Sequence, residues 1–252
     1  MRILDYKKIT KDIQNWISDY LNSANSHGVV IGLSGGIDSS VTASLCVNVL
    51  GSKNVIGLGL PCESISQDLE DAELISNHLG ITLTTIDLTE TYKQSIKSLS
   101  SYFKPNKISR ANIKPRLRML SLYYVAQSIG NYLVAGTGNR SELAIGYFTK
   151  YGDGGVDFEP LGRLYKCEVK KIAKILKIPD KIINKPPSAG LWVGQTDEGE
   201  MGITYDELDE ILYRLDYNLD TNDLDENDVN KVRNMIKNSI HKLNTPPVFE
   251  IH

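Results

Sequence analysis

The chain has 252 residues, of which 41% are apolar and 23% charged, with a formal net charge of −3. This balance excludes a disordered chain, because enough apolar surface is present to offset the entropy of ordering. No run of about 18 apolar residues is available to cross a bilayer, and the slightly acidic balance disfavours a broadly basic nucleic-acid binder.

The length allows one large domain or two small ones. The opening segment, MRILDYKKITKDIQNW, has no signal-peptide core, so a cytoplasmic location is expected. Apolar residues at helical spacing predict a helix over 5–22, broken at His27-Gly28. Val29–Leu33 is a short apolar run suited to a strand buried on both faces. A glycine- and serine-rich turn follows, then a helix over about 39–50.

The alternation continues with strands at Val55–Leu60, Ile81–Asp87 and Tyr132–Ala135. Helices are expected between them at 66–79, 88–101 and 111–129, the last with Pro115 near its start. Strands alternating with helices imply an α/β fold, a Rossmann-like doubly wound parallel sheet with helices on both faces. Ligands of such sheets bind beyond the carboxyl ends of the strands.

After residue 145 the pattern changes to a glycine-rich segment and a helix at 166–177. A long loop over 184–203 and a C-terminal helical extension (204–215 and 226–243) complete the chain. No internal repeat is found.

Cys46, Cys62 and Cys167 share no short spacing, and His27, His78, His241 and His252 are scattered. A zinc motif and a disulfide framework are therefore not suggested. Oxygen ligands, and hence magnesium, fit the composition better.

The run Ser34-Gly35-Gly36-Ile37-Asp38-Ser39-Ser40 lies at a strand-to-helix junction. Glycines let the backbone approach a ligand, and the helix start aims N–H groups at an anion. Asp38 would repel a phosphate unless a divalent cation sits between them. The run has neither the Gly-Lys-Ser/Thr ending of a Walker loop nor the dinucleotide fingerprint. A plain tight turn, with Asp38 as a first-turn helix acid, is the competing reading.

SGGIDSS resembles the pyrophosphate-binding loop of the ATP pyrophosphatases, which transfer AMP from ATP to a substrate oxygen. Further along, GTGNRSE (136–142), FTKYGDGGVD (148–157) and KPPSAGL (185–191) are similar to NAD synthetase in order and spacing. So are RLRM (116–119) and the pair His241-Lys242. The resemblance runs from about residue 5 to the end, one synthetase domain over 1–252 with a lid loop at 185–202.

The resemblance implies ATP-dependent amidation of deamido-NAD by ammonia, through an acyl-adenylate, to give NAD, AMP and pyrophosphate. It implies ATP contacts from Gly32, Leu33, Ser34, Gly35, Gly36, Ile37, Asp38, Ser39, Ser40, Thr137, Lys166 and Ser188. Ser188 stands where the family has Thr, and the hydroxyl is kept. Asp38 and Glu142 are implied ligands of Mg²⁺.

Arg116, Lys150, Asp157, His241 and Lys242 match deamido-NAD-binding positions, with Asp157, Lys150 and Asp38 implied in catalysis. Taken alone, Lys166 reads as a solvated helix lysine, Glu142 as a helix N-terminal acid and His241 as a helix-end histidine. Whether Asp157 removes a proton from ammonium or orients Lys150 stays open. The resemblance also implies a homodimer.

The first core strand begins too soon for a glutaminase domain to precede it, so ammonia is the expected nitrogen source. Two other classes compete. An RNA-modifying enzyme with the same loop would need a basic surface. A non-enzymatic nucleotide-binding module would have no need of both Asp38 and Glu142.

Overall fold

Val29, Val30 and Ile31 are fully buried, and the strand that carries them is the centre of a parallel sheet. A computed structural model describes residues 2–188, 190–192 and 194–250. The first half of the chain runs α1 (Tyr6–Ser23), β1 (Gly28–Gly32), α2 (Ile37–Leu50), β2 (Val55–Gly59) and α3 (Ser66–Leu79). It continues with β3 (Thr82–Thr85), α4 (Thr89–Ser100), α5 (Lys107–Ala111), α6 (Ile113–Ser128), β4 (Tyr132–Val134) and α7 (Arg140–Ile145). The remainder forms α8 (Lys166–Ile175), α9 (Asp180–Ile183), α10 (Asp197–Met201), α11 (Tyr205–Asp216) and α12 (Glu226–Leu243).

The sheet order is β3-β2-β1-β4, all parallel, with Val30 beside Ile56 on one side and Val134 on the other. The α/β architecture with helices on both faces is as the sequence implies. α1, α2, α3 and α8 cover one face, where Ile17, Leu45, Ile75 and Ile172 share a core. α4 and α6 cover the other, around Leu58, Tyr92 and Ala126. A separate cluster, including Tyr165, Leu208, Leu212 and Val232, ties α11 and α12 to α7.

The chain reverses direction across the sheet between β1 and β4. β2 and β3 lie on one side of β1, and β4 returns on the other. Loops leaving the carboxyl ends of these two neighbours therefore face each other, the geometry in which doubly wound sheets bind ligands.

The helix expected over 111–129 is α6, and short helices stand beside or within the expected elements. α5 precedes α6, the two meeting at Asn112. Asn106 caps α5, its side chain accepting from the Ser109 N–H, and Pro115 sits third in α6, where a missing N–H costs nothing. α7 begins where Glu142 reads as a helix N-terminal acid, and its six residues are too few to show a period. The long loop over 184–203 contains α10, capped by the Thr196 hydroxyl. Within that loop Ala189 and Val193 lie outside the described residues, as does His252 at the terminus.

Candidate active site

Gly35 is the tightest point of the turn that follows β1. It is buried with φ +70°, and a Cβ there would lie 2.6 Å from both the Asp68 carbonyl oxygen and the Asp71 Cβ. Only glycine fits this conformation without strain. The hydroxyls of Ser39 and Ser40 donate to the Gly36 carbonyl at 3.1 and 2.7 Å, and Ser34 Oγ lies 3.1 Å from Ser39 Oγ. Gly32 ends the strand, and the N–H of Leu33, the next residue, donates to the Leu58 carbonyl at 2.9 Å. The loop thus holds its own shape at the start of α2.

A second clasp braces the loop from outside. Lys185 donates to Asp68 at 2.9 Å and to Gly35 O at 3.4 Å, and its ammonium lies 2.7 Å from Asp71. Lys181 reaches the other Asp71 oxygen, also at 2.7 Å. Asp71 is almost fully buried. Burial pulls its carboxyl upward, but the two lysines win and hold it below the ordinary carboxylate value.

Asp38, on the first turn of α2, and Glu142, on the first turn of α7, meet at one cation. Lys166 Nζ lies 2.6 Å from Asp38 Oδ2 and 3.0 Å from Glu142 Oε1. The Asn139 amide fixes the remaining Asp38 oxygen at 2.9 Å, while its own oxygen caps α7 by accepting the Glu142 N–H at 3.1 Å. Lys166 is 2% exposed. Burial disfavours its ammonium, but the two carboxylates outweigh that and hold it protonated, above its ordinary value. Burial pushes Glu142 up to about 7 against the opposing pull of Lys166.

Two carboxylates aimed at a single point, with only oxygen donors, suit a hard cation such as Mg²⁺, which commonly takes one or two carboxylates and completes its shell with phosphate oxygens and water. Among the described residues no group of three or more His, Cys, Asp or Glu side chains is placed to hold a metal without such help.

A second group of expected residues gathers beside α12. Lys150 donates to the His241 carbonyl at 2.6 Å, and Lys242 donates to the carbonyls of Gly146 and Phe148 at 2.7 and 2.9 Å. Arg116, on α6, reaches the Lys150 carbonyl at 3.4 Å. Asp157 and Lys242 line one cavity of about 250 Å³, together with Phe148 and Glu159. The charged groups of Lys150 and Asp157 do not meet: the Asp157 carboxylate accepts from the Val134 N–H at 2.7 Å and the Tyr123 hydroxyl at 3.1 Å. It is anchored to the edge of β4.

Thr137 lies half-buried on the turn between β4 and α7. Ser188 is exposed, and its hydroxyl organises the loop around it, donating to Gln195 O at 2.8 Å and accepting from the Gly190 N–H at 3.2 Å. Lys114 donates to Leu191 O at 3.0 Å, and Lys107 stands 3.8 Å over the Trp192 ring, so α5 and α6 hold this loop.

The sequence reading missed Asn139, Lys185, Glu159, Asp197 and Tyr205. Asn139 carried a signal, since Asn-x-x-Glu is a capping pattern. Lys185 opens the KPPSAGL run without standing out within it, and Glu159, Asp197 and Tyr205 come from segments far apart in the chain, with no local pattern to mark them.

A family model for NAD synthase matches residues 9–246. The chain belongs to the NAD synthase family. It is 46% identical over 250 residues to the NH(3)-dependent NAD(+) synthetase of Carboxydothermus hydrogenoformans, covering 98% of this chain and 99% of that one. Among solved structures it resembles the NMN synthetase of Francisella tularensis, with TM-score 0.91 and 37% identity over 99% of this chain and 100% of the other. It also resembles the NH3-dependent NAD synthetase of Campylobacter jejuni, solved with a nitrate ion, with TM-score 0.85 and 32% identity over 98% and 100% of the two chains. In this chain the Gly35 turn and the Asp38–Lys166–Glu142 cluster follow the carboxyl ends of the neighbouring strands β1 and β4, and no described helix is long and apolar enough to cross a membrane.

Proposed function

We propose that this chain is an ammonia-dependent ligase that amidates the nicotinate carboxylate of deamido-NAD at the expense of ATP, giving NAD, AMP and pyrophosphate. The observation that carries this reading is the end-to-end likeness to NH(3)-dependent NAD(+) synthetases, at 46% identity over 98% of the chain.

A nicotinate carboxylate oxygen attacks the α-phosphorus of ATP. The bond from that phosphorus to the bridging oxygen breaks, and pyrophosphate leaves with the electron pair. Ammonia then attacks the carbonyl carbon of the acyl-adenylate. The bond to the AMP oxygen breaks and the nitrogen loses a proton.

Each partner in the first step is an anion, so the protein's work is positioning and charge neutralisation. The 34–40 loop, with the N–H groups at the start of α2, receives the pyrophosphate. Lys166, Thr137 and Ser188 take further ATP oxygens. Asp38 and Glu142 would hold Mg²⁺, which, when bound, neutralises the leaving phosphates. With a cation between those carboxylates, the Lys166 ammonium would be released to face an ATP oxygen.

Arg116, Lys150, His241 and Lys242 take the nicotinate substrate. Asp157, on the rim of the cavity, receives ammonium. The 185–202 loop excludes water from the acyl-adenylate. A cytoplasmic location and a homodimer complete the reading. The dimer is supported by α6, where Leu120 and Tyr124 are 61% and 72% exposed while other faces of the helix pack inward.

Incubation with magnesium, ATP, ammonium and deamido-NAD tests the activity. NAD and AMP are expected in a 1:1 ratio, with a rate near background when glutamine replaces ammonium. Failure of NAD and AMP to form together defeats the reading. A second substrate is favoured by the fit, at TM-score 0.91, to a chain named NMN synthetase. Nicotinate mononucleotide carries the same carboxylate, so kcat/KM for the two nicotinates in parallel decides between them.

A further inference from the structure

Tyr205 opens α11, is 3% exposed, and belongs to neither the nucleotide loop nor the nicotinate cluster. Its hydroxyl lies 3.2 Å from Glu142 Oε1 and 3.0 Å from Asp197 Oδ2. Its ring lies 4.9 Å from Lys166 Nζ, within the reach of a cation–π contact. A phenol carries one proton, so it donates to one of these two carboxylates at a time.

Asp197 is in turn tied to the 185–202 loop. Its backbone N–H donates to Pro187 O at 3.1 Å, and its other carboxylate oxygen accepts from the Tyr147 hydroxyl at 3.2 Å. The same Tyr147 hydroxyl lies 2.8 Å from Glu200, so its one proton is shared between Asp197 and Glu200, and Glu200 accepts from the Gln195 amide at 2.7 Å. Gln195 holds the loop by accepting the Leu191 N–H at 2.8 Å. A continuous path therefore runs from the loop through Asp197 and Tyr205 to Glu142, Lys166 and Asp38.

We propose that Tyr205 is a positioning residue, whose single hydroxyl proton makes the seating of the 185–202 loop and the aim of the Glu142 carboxylate depend on each other. When a cation engages Glu142, the proton goes to Asp197 and tightens the end of the loop. When Glu142 recovers the hydroxyl, Asp197 loses a donor and the loop loosens. This rests on the proposed use of ATP with Mg²⁺ and on the lid role of the loop.

The test uses Tyr205→Phe, which keeps the ring and its contact with Lys166 and removes only the hydroxyl, and Asp197→Asn, which reads the same link from the loop side. Cleavage by chymotrypsin after Trp192 is followed with and without Mg²⁺ and ATP, in the absence of any nicotinate substrate, alongside kcat and KM. In the wild type ATP is expected to protect this bond. In both variants most of that protection is lost, and in Tyr205→Phe kcat falls about tenfold while KM for the nicotinate substrate changes by less than about twofold.

Wild-type protection in Tyr205→Phe and Asp197→Asn overturns the proposal, as does absence of ATP-dependent protection in the wild type. So does a fall in kcat with protection unchanged, which would mark a purely local role. Should Tyr205→Phe not fold, Asp197→Asn alone decides. Failure of the wild type to make an amidated product would defeat the proposed activity instead, and the protection experiment reads independently of it.

Discussion

Asp38 and Lys166, 128 positions apart in the chain, meet at 2.6 Å between Oδ2 and Nζ. Lys166 is nearly closed to water while Asp38 is partly exposed, and Glu142 shares the same ammonium. Removing the cation would leave two carboxylates facing each other. Lys166→Met is expected to lose about 3–5 kcal/mol of stability, because a broken buried pair leaves uncompensated charge. Thermal melting checks this. Millimolar magnesium should restore part of the loss in the variant and have little effect on the wild type, since the two carboxylates then need another cation.

Asp38→Asn keeps the shape and the Asn139 contact but halves the negative charge at the cluster. Turnover should fall at least about 100-fold at ordinary magnesium, the scale at which a preorganised electrostatic group contributes. Circular dichroism should be unchanged. Full activity would remove Asp38 from the mechanism.

Gly35→Ala tests the turn. The new methyl must sit 2.6 Å from the Asp68 carbonyl at a φ of +70°, so the loop has to move. Strain of about 1–3 kcal/mol is expected. ATP affinity should fall more than the melting temperature would suggest, since the same N–H groups form the anion site. Calorimetric titration with ATP measures this.

Glu159 gives the pH dependence. Burial lifts its carboxyl to about 8 against a lowering bond from the Gly138 N–H, and nearby carboxylates push it in the same direction as burial. Unfolded, it ionises near 4.5. Between these values the folded state binds the extra proton, so stability is greatest below about pH 4.5 and is lost as pH rises toward 8. Glu159→Gln carries no such penalty. Its stability advantage over the wild type should grow from about 1 kcal/mol at pH 5 to the order of 4 kcal/mol at pH 8, seen in paired denaturant titrations. A pH-independent difference would contradict the buried acid.

Lys242→Ala removes two donors from the Gly146 and Phe148 carbonyls and one wall of the cavity beside Asp157. KM for the nicotinate substrate is expected to rise about tenfold, with KM for ATP changed little, because the interaction removed is one of binding. Steady-state kinetics in both substrates separates the two.

The parallel sheet was legible because its buried strands read as apolar runs between glycine-rich turns. The boundaries of β1, β2, α3 and α12 fall within a few residues of the sequence reading. The extents of α7 and α10 were not legible: helices this short show no period, and Thr196 looks like an ordinary loop residue, while Asn139 is marked only by its Asn-x-x-Glu spacing. Within the site, Asp38 stood out because a carboxylate in an anion loop is chemically odd. Tyr205 and Glu159 did not, because a tyrosine opening a helix and a glutamate before a proline have no local anomaly.

The sequence by itself determined the strand-turn-helix unit around Gly35 and Gly36, the family, and the identities of the charged residues, since these depend on local propensity and on motifs a few residues long. Only the tertiary structure decided that Lys166 sits between Asp38 and Glu142, that Lys150 turns to the His241 carbonyl while Asp157 binds β4, and that Tyr205 links Asp197 to Glu142. These contacts follow from strand order. Placing β4 beside β1 brings the turns carrying Asp38 and Glu142 together, and no pattern along the chain encodes which strands become neighbours.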